Sequence, residues 1–125
     1  MAAGTLDILV EQGATFSMRL VLSDSVGSGI DLTGWTFRGQ IRAKYDSGTI
    51  LASFTATIDP DQVTNPGAVD FEMADTVTEA ITVLAATNYN KKNTPYAYDI
   101  EGEDPDGNVY RIVQGVANIS PEVTR

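Results

Sequence analysis

Alternation of apolar and polar side chains with a period of two residues dominates the chain and predicts β-strands along most of its length. Strands are predicted over residues 6–11 and 15–22, separated by a break at Gln12-Gly13. A turn-rich loop over residues 23–29 contains two glycines. The stretch 35–45 predicts a longer strand, whose apolar face begins at Trp35 and whose opposite face carries basic side chains.

The middle of the chain predicts another strand, a loop and a change of period. An alternating run over residues 50–58 predicts one strand with Phe54 at the centre of its apolar face. Two prolines and a glycine make residues 59–67 a loop, and residues 69–73 form a short strand. Apolar residues then recur at helical spacing, and Thr76–Glu79 matches a capping box, which together predict one short helix near residues 75–86.

The last third returns to alternation. A strand restarts at Tyr96, Asp104-Pro-Asp-Gly107 predicts a hairpin turn, and a long strand follows from Val109 to about Ile119. About seven strands, short loops and one helix predict a mainly β protein. We expect a single domain over residues 1–125, an antiparallel Ig-like β-sandwich, with a small open barrel as the alternative. The predicted core contains Phe16, Trp35, Phe37, Phe54, Phe71, Tyr98 and Ile112.

Composition narrows the possible functions. The chain has 125 residues, no cysteine and no histidine, so serine–histidine or cysteine–histidine catalysis within it is impossible. The net charge of −9 disfavours binding to nucleic acid or anionic membranes. We expect no secretory signal, no enzymatic activity, no cofactor and no small-molecule substrate.

Three groups of side chains are candidate sites. Arg38, Arg42 and Lys44 lie on one face of the predicted strand 35–45 and form either a docking surface for an acidic partner or a solvated face paired with acids such as Asp99 and Glu101. Acids between Asp99 and Asp106 lack the EF-hand spacing, so a solvated strand and turn is favoured over a calcium site. Tyrosines near Tyr89 and Tyr96 offer a stacking platform for a sugar, which makes a carbohydrate-binding module the alternative of another class.

Several motifs along nearly the full length resemble short virion proteins of tailed bacteriophages, including many from phages of cyanobacteria. The resemblance rests on Glu11–Phe16, Asp31–Trp35, Arg38–Arg42, Tyr98–Ile100, Asp106-Gly107, Val109–Val116 and Ile119–Arg125. A similar layout occurs in the N-terminal domain of the baseplate upper protein of some lactococcal phages, a β-sandwich that joins a receptor-binding assembly to the baseplate.

The resemblance implies a non-enzymatic structural protein of the virion, assembled in the host cytoplasm and oligomeric within the particle. The resemblance does not decide which part of the virion this is; we expect a tail or baseplate adaptor whose partners are other virion proteins, with a capsid decoration protein as the alternative. Chain ends can add a strand to a neighbour's sheet, so partner contacts are expected at the N-terminal strand and the C-terminal tail. The tail contacts are Ile119, Pro121, Glu122, Val123, Thr124 and Arg125.

Overall fold

A computed structural model describes residues 3–44, 46–83 and 93–122 and places them in two packed β-sheets. The elements in chain order are β1 (Gly4–Thr5), β2 (Ile8–Glu11), β3 (Phe16–Val21), β4 (Thr36–Arg42), β5 (Ile50–Ser53), β6 (Thr55–Ile58), β7 (Ala68–Met73), α1 (Asp75–Glu79), β8 (Thr94–Glu103) and β9 (Val109–Ser120). No described helix has the length and apolar character needed to cross a membrane.

The strand order is that of an Ig-like sandwich. The larger sheet has the order β1-β9-β8-β4-β5, with β2 also pairing with β9, and the smaller sheet has the order β3-β7-β6. The order β9-β8-β4 facing β3-β7-β6 matches the G-F-C and B-E-D sheets of immunoglobulin domains. The predicted β-sandwich with one short helix is therefore confirmed, although β1 and β2 join β9 in parallel rather than antiparallel.

Inward-facing aromatic and aliphatic side chains fill the space between the sheets. Phe54, Phe71 and Tyr98 are buried at the centre, with the ring of Phe54 tilted against Tyr98 and edge-on to Phe71. The other four predicted core residues, Phe16, Trp35, Phe37 and Ile112, are partly buried and pack against this cluster.

The prediction of one strand over residues 50–58 is wrong. β5 pairs with β4 in the larger sheet, whereas β6 pairs with β7 in the smaller sheet, and the chain crosses between them at Phe54. Phe54 is 7% exposed and its backbone N–H donates to the carbonyl oxygen of Gly39. Because Ala52, Phe54 and Ala56 all face the core, the inward alternation continues through the change of sheet.

The helix is shorter than predicted, and its predicted capping box is wrong. α1 ends at Glu79, and its N-cap is Ala74, which makes no side-chain capping bond. The side chain of Gln12 donates to the carbonyl oxygen of Ile81 at 3.0 Å. In a longer helix this oxygen would accept a backbone N–H of the next turn, but here it is already bonded to Gln12. Residues 84–86 of the predicted helix lie outside the described residues.

The N-terminal segment is fastened to β9 at a glycine. Leu6 donates its N–H to the carbonyl oxygen of Gln114 at 3.0 Å, and the carboxylate of Asp7 accepts the N–H of Val116 at 2.9 Å. The hydroxyl of Tyr98 donates to the carbonyl oxygen of Leu6. This close approach requires Gly115, because a Cβ there would lie 2.2 Å from that same oxygen.

Candidate functional site

The outer face of the larger sheet carries the predicted basic strip. Arg38 and Arg42 lie on β4, and Lys44 follows the strand on an exposed turn. The guanidinium of Arg38 donates to Glu101 on β8 at 2.9 Å, and this bond raises the pKa of Arg38 above its ordinary value. Arg38 is thus an exposed residue with a cross-strand partner, as the solvated-face alternative expects.

The other two basic residues differ from Arg38 in their surroundings. Arg42 donates to the carbonyl oxygen of Ser47 at 2.8 Å and to the side-chain oxygen of Gln40 at 3.0 Å, so it braces the turn between β4 and β5. Lys44 is exposed and forms no ion pair within the part of the chain that the structure describes. Arg38 and Arg42 thus bind different partners, and Lys44 lies beyond the end of β4.

Acids on β8 balance this strip. Asp99 lies 3.6 Å from the guanidinium of Arg111 on β9, while Glu101 binds Arg38. Burial raises the pKa of Asp99, the neighbouring Glu101 adds to this shift, and Arg111 opposes it. The resulting rows of basic, acidic and basic side chains on β4, β8 and β9 largely satisfy one another.

The hairpin turn after β8 is held by the carboxylate of Asp104. The carboxylate of Asp104 accepts the backbone N–H of Asn108 at 2.9 Å and of Asp106 at 3.0 Å, which lowers the pKa of Asp104. Gly107 has the positive φ of 86° that the predicted turn requires. Among residues 3–44, 46–83 and 93–122, no three acidic, histidine or cysteine side chains are grouped to hold a metal ion.

The grooves on this face are small. One, of about 100 Å³, lies between Phe37, Arg38 and Val109, and another, of about 80 Å³, lies between Gln40, Arg42 and Asp99. A mostly apolar groove of about 210 Å³ lies beside Lys44, Tyr96 and Val116. Binding sites for small molecules typically enclose about 300–1,000 Å³.

Only some of the predicted contact residues of the C-terminal tail are exposed to a partner. Ile119 is completely buried and pairs with Val10 of β2 on one side and with Thr94 of β8 on the other, so it is a core residue rather than a surface contact. The prediction of Ile119 as a partner contact is wrong because the end of β9 lies between two other strands of the sheet. Pro121 and Glu122 are partly exposed, and Glu122 donates its N–H to the side-chain oxygen of Gln12 at 3.1 Å. Val123, Thr124 and Arg125 lie outside the described residues.

The described tyrosines are buried or bound to other parts of the domain rather than forming an exposed stacking platform. Tyr98 is 2% exposed, and the ring of Tyr110 stacks on Trp35. Tyr96 is partly buried, and its hydroxyl donates to the carbonyl oxygen of Thr82. Tyr89 lies outside the described residues.

Sequence reasoning did not predict two features of the structure. The first is a polar latch, in which the buried hydroxyl of Thr78 accepts the N–H of Gly13 at 3.1 Å and donates to the carbonyl oxygen of Ala14 at 2.8 Å. The second is a pair of edge strands without charged side chains, β5 and β6, on the same side of the sandwich. The absence of charge over residues 47–58 is visible in the sequence, but its position at two sheet edges is not.

Comparison with known proteins supplies no functional relative. No family model matches the chain, and no curated protein matches it. The adhesin SrpA of Streptococcus sanguinis, as its R347E mutant, is 15% identical at a TM-score of 0.48, and the match covers 92% of this chain and 55% of the adhesin. This chain therefore spans about half the length of that structure.

Two further solved structures match at similar levels. CopC from Methylosinus trichosporium OB3b is 13% identical at a TM-score of 0.42, covering 100% of this chain and 90% of CopC. A structure from a study of cell-adhesive interactions of VGSC beta subunits is 11% identical at a TM-score of 0.44, covering 94% of this chain and 92% of that chain. Likenesses at these identities and TM-scores carry no information on what this chain binds.

Proposed function

We propose that this chain is a non-enzymatic structural protein of a bacteriophage particle, a tail or baseplate adaptor that joins virion components through its sheet edges and termini. The motif resemblance spans nearly the whole chain and supports this assignment. The main support is that the charged side chains on the outer face of the larger sheet bind one another, Arg38 with Glu101 and Arg111 with Asp99. The backbone N–H and C=O groups on the outer sides of the edge strands remain to bind a partner.

The ends of the chain offer the second point of attachment. β2 lies beside the end of β9, and Glu122 bonds back to Gln12, which joins the two segments at one end of the sandwich. A partner bound there would contact both segments at once. Ser120 itself belongs to the fold, because its carbonyl oxygen accepts the N–H of Gln12 at 2.9 Å.

Fractionation of purified particles tests the location. We expect this protein in tails, at a few to tens of copies per particle by quantitative mass spectrometry. Enrichment in heads at hundreds of copies would identify a capsid decoration protein instead. Absence from both fractions would reject a role in the virion, and binding to host polysaccharide would then be tested on a glycan array.

Two variants then separate the tail from the basic strip. Deletion of Val123–Arg125 retains the hydrogen bonds that Ser120 and Glu122 form with Gln12, so we expect a folded monomer that is not incorporated into particles. The double substitution Arg38→Ala with Lys44→Ala should be incorporated normally if the strip is a solvated face. Normal incorporation of the deletion variant would contradict the tail contact, and loss of the double variant would make the strip a docking surface.

A further inference from the structure

Two edge strands on one side of the sandwich carry no charged side chain. Residues 47–58 contain none of the chain's 8 basic or 17 acidic residues, and they form β5 at the edge of one sheet and β6 at the edge of the other. Both edges lie on the same side because the chain passes from β5 directly through Phe54 into β6. Exposed edges of natural sheets usually carry lysine, proline or a bulge, which block pairing with another chain.

β6 carries no lysine, no proline and no bulge, and its length of four residues is the one protective feature it has. β5 has a bulge opposite Ile41 and Arg42, whereas β6 pairs with β7 in an unbroken register. Asp59 donates its N–H to the carbonyl oxygen of Ala68 at 3.0 Å, so the alternation of an antiparallel ladder makes Thr57 and Asp70 a hydrogen-bonded pair. The N–H and C=O groups of Ala56 and Ile58 therefore point away from β7 towards the open edge.

Two of the three acids that border this edge are paired with a cation, and the third, Glu72 opposite Thr55, is exposed. The guanidinium of Arg19 binds Asp70 at 2.8 Å and Asp59 at 3.0 Å. Arg19, Asp70 and Thr57 lie in one row across the outer face of the smaller sheet. In a chain of net charge −9, this pairing reduces the repulsion between two copies that meet at Thr57.

We propose that the β6 edge pairs with β6 of a second copy in an antiparallel dimer, with Thr57 on the two-fold axis. Ala56 then exchanges both backbone hydrogen bonds with Ile58 of the second copy, and Ile58 does so with Ala56 of that copy, which gives four bonds. The two Thr57 side chains face each other in the close, non-hydrogen-bonded position, and such threonine pairs are favourable. On the inner face, the partly buried side chains of Ala56 and Ile58 pack against their counterparts.

Self-complementarity favours a second copy over a strand of a different protein. The same register satisfies the backbone, places small hydroxyl side chains on the axis and matches an alanine with an isoleucine across it. Two short strands bury less surface than a stable interface needs, so the dimer is weak in solution. In an assembled particle, a high effective concentration strengthens such a contact.

Cysteine substitution provides a direct test because the chain has no cysteine of its own. Cα atoms in a close antiparallel pair are about 4.5 Å apart, which permits a disulfide. We expect Thr57→Cys to form a disulfide-linked dimer of twice the 13.4 kDa mass under mild oxidation. Ser17→Cys is the matched control, because Ser17 is exposed on the outer face of the same sheet but at the opposite edge.

Sedimentation of the purified chain gives the second test. We expect the wild type to shift from monomer towards dimer between about 1 μM and about 1 mM. Thr57→Lys places two like charges on the axis and should weaken association about fivefold or more, while Ser17→Lys leaves it unchanged. The new lysine lies beside Asp70 in its own chain, so the monomer stays folded, as circular dichroism would verify.

Two results would overturn the proposal. One is a wild-type chain that remains monomeric over the whole concentration range, and the other is Thr57→Cys cross-linking no faster than Ser17→Cys. Both measurements use the purified chain alone. Their outcome is therefore independent of whether the protein is found in phage particles.

Discussion

Replacing Gly115 by alanine should detach the N-terminal segment from β9. The new Cβ would lie 2.2 Å from the carbonyl oxygen and 2.8 Å from the carbonyl carbon of Leu6, both of them backbone atoms that cannot rotate away. The segment must therefore move. Three hydrogen bonds depend on its position, namely those of Leu6 with Gln114, of Asp7 with Val116 and of Tyr98 with Leu6.

The magnitude follows from these bonds. Each contributes about 1 kcal/mol net, so their loss costs about 3 kcal/mol. Alanine restricts the unfolded chain more than glycine does, which offsets about 0.7 kcal/mol. We expect the Gly115→Ala variant to unfold with a free energy lower by about 2 kcal/mol and a Tm lower by roughly 8 °C.

Gly4→Ala is the matched control on the same junction. Its Cβ would lie 3.8 Å from the carbonyl oxygen of Ile112, which is ordinary van der Waals contact, so its stability should equal or slightly exceed that of the wild type. Urea unfolding can be followed by the fluorescence of Trp35, the chain's one tryptophan. Amide exchange of Val116 should also accelerate in Gly115→Ala, because its N–H binds Asp7. Equal stability of the two variants, within about 0.5 kcal/mol, would refute the close approach at Gly115.

Two further predictions concern single side chains. Tyr98→Phe removes the hydroxyl that binds the carbonyl oxygen of Leu6 and should lower the free energy of unfolding, measured in urea, by about 1 kcal/mol. The hydroxyl of Tyr110 lies 3.4 Å from Asp104, so Tyr110→Phe should lower it by less. The bond from Arg19 lowers the pKa of Asp70 in the folded state, so the stabilisation is complete above the unfolded pKa of about 3.9 and is lost as the pH falls through the lower folded value. Arg19→Met should therefore lose less stability than the wild type between about pH 5 and about pH 2, and equal losses would contradict this role of the pair.

The strands were largely predictable because alternation reports directly which side chains face a core. β3, β4 and β9 lie within one to three residues of their predicted bounds. The hairpin turn at Gly107 was equally readable, since a left-handed residue at that position favours glycine. The cross-strand pairing of Arg38 with Glu101 follows from the same alternation once β4 and β8 are neighbours.

The failures share a physical cause, because each depends on a contact between distant parts of the chain. Alternation shows that Phe54 faces inward but not which sheet its neighbours join, so β5 and β6 could not be separated. The short helix depends on Gln12, which binds the carbonyl oxygen of Ile81 across 69 residues of sequence. Ile119 was placed at the surface because the sequence does not show that the last strand lies between β2 and β8.

The role of the uncharged run from residue 47 to residue 58 also depends on contacts between distant parts of the chain. In a central strand such a run would serve only the core, because neighbours on both sides would use its backbone groups. Here, among the strands that the structure describes, none pairs with the second side of β6, and the ladder with β7 directs the N–H groups of Ala56 and Ile58 towards that side. The composition of the run and its place in the topology are therefore both needed. Together they are the reason that we propose the β6 edge, rather than the basic strip on β4, as the surface that binds another copy.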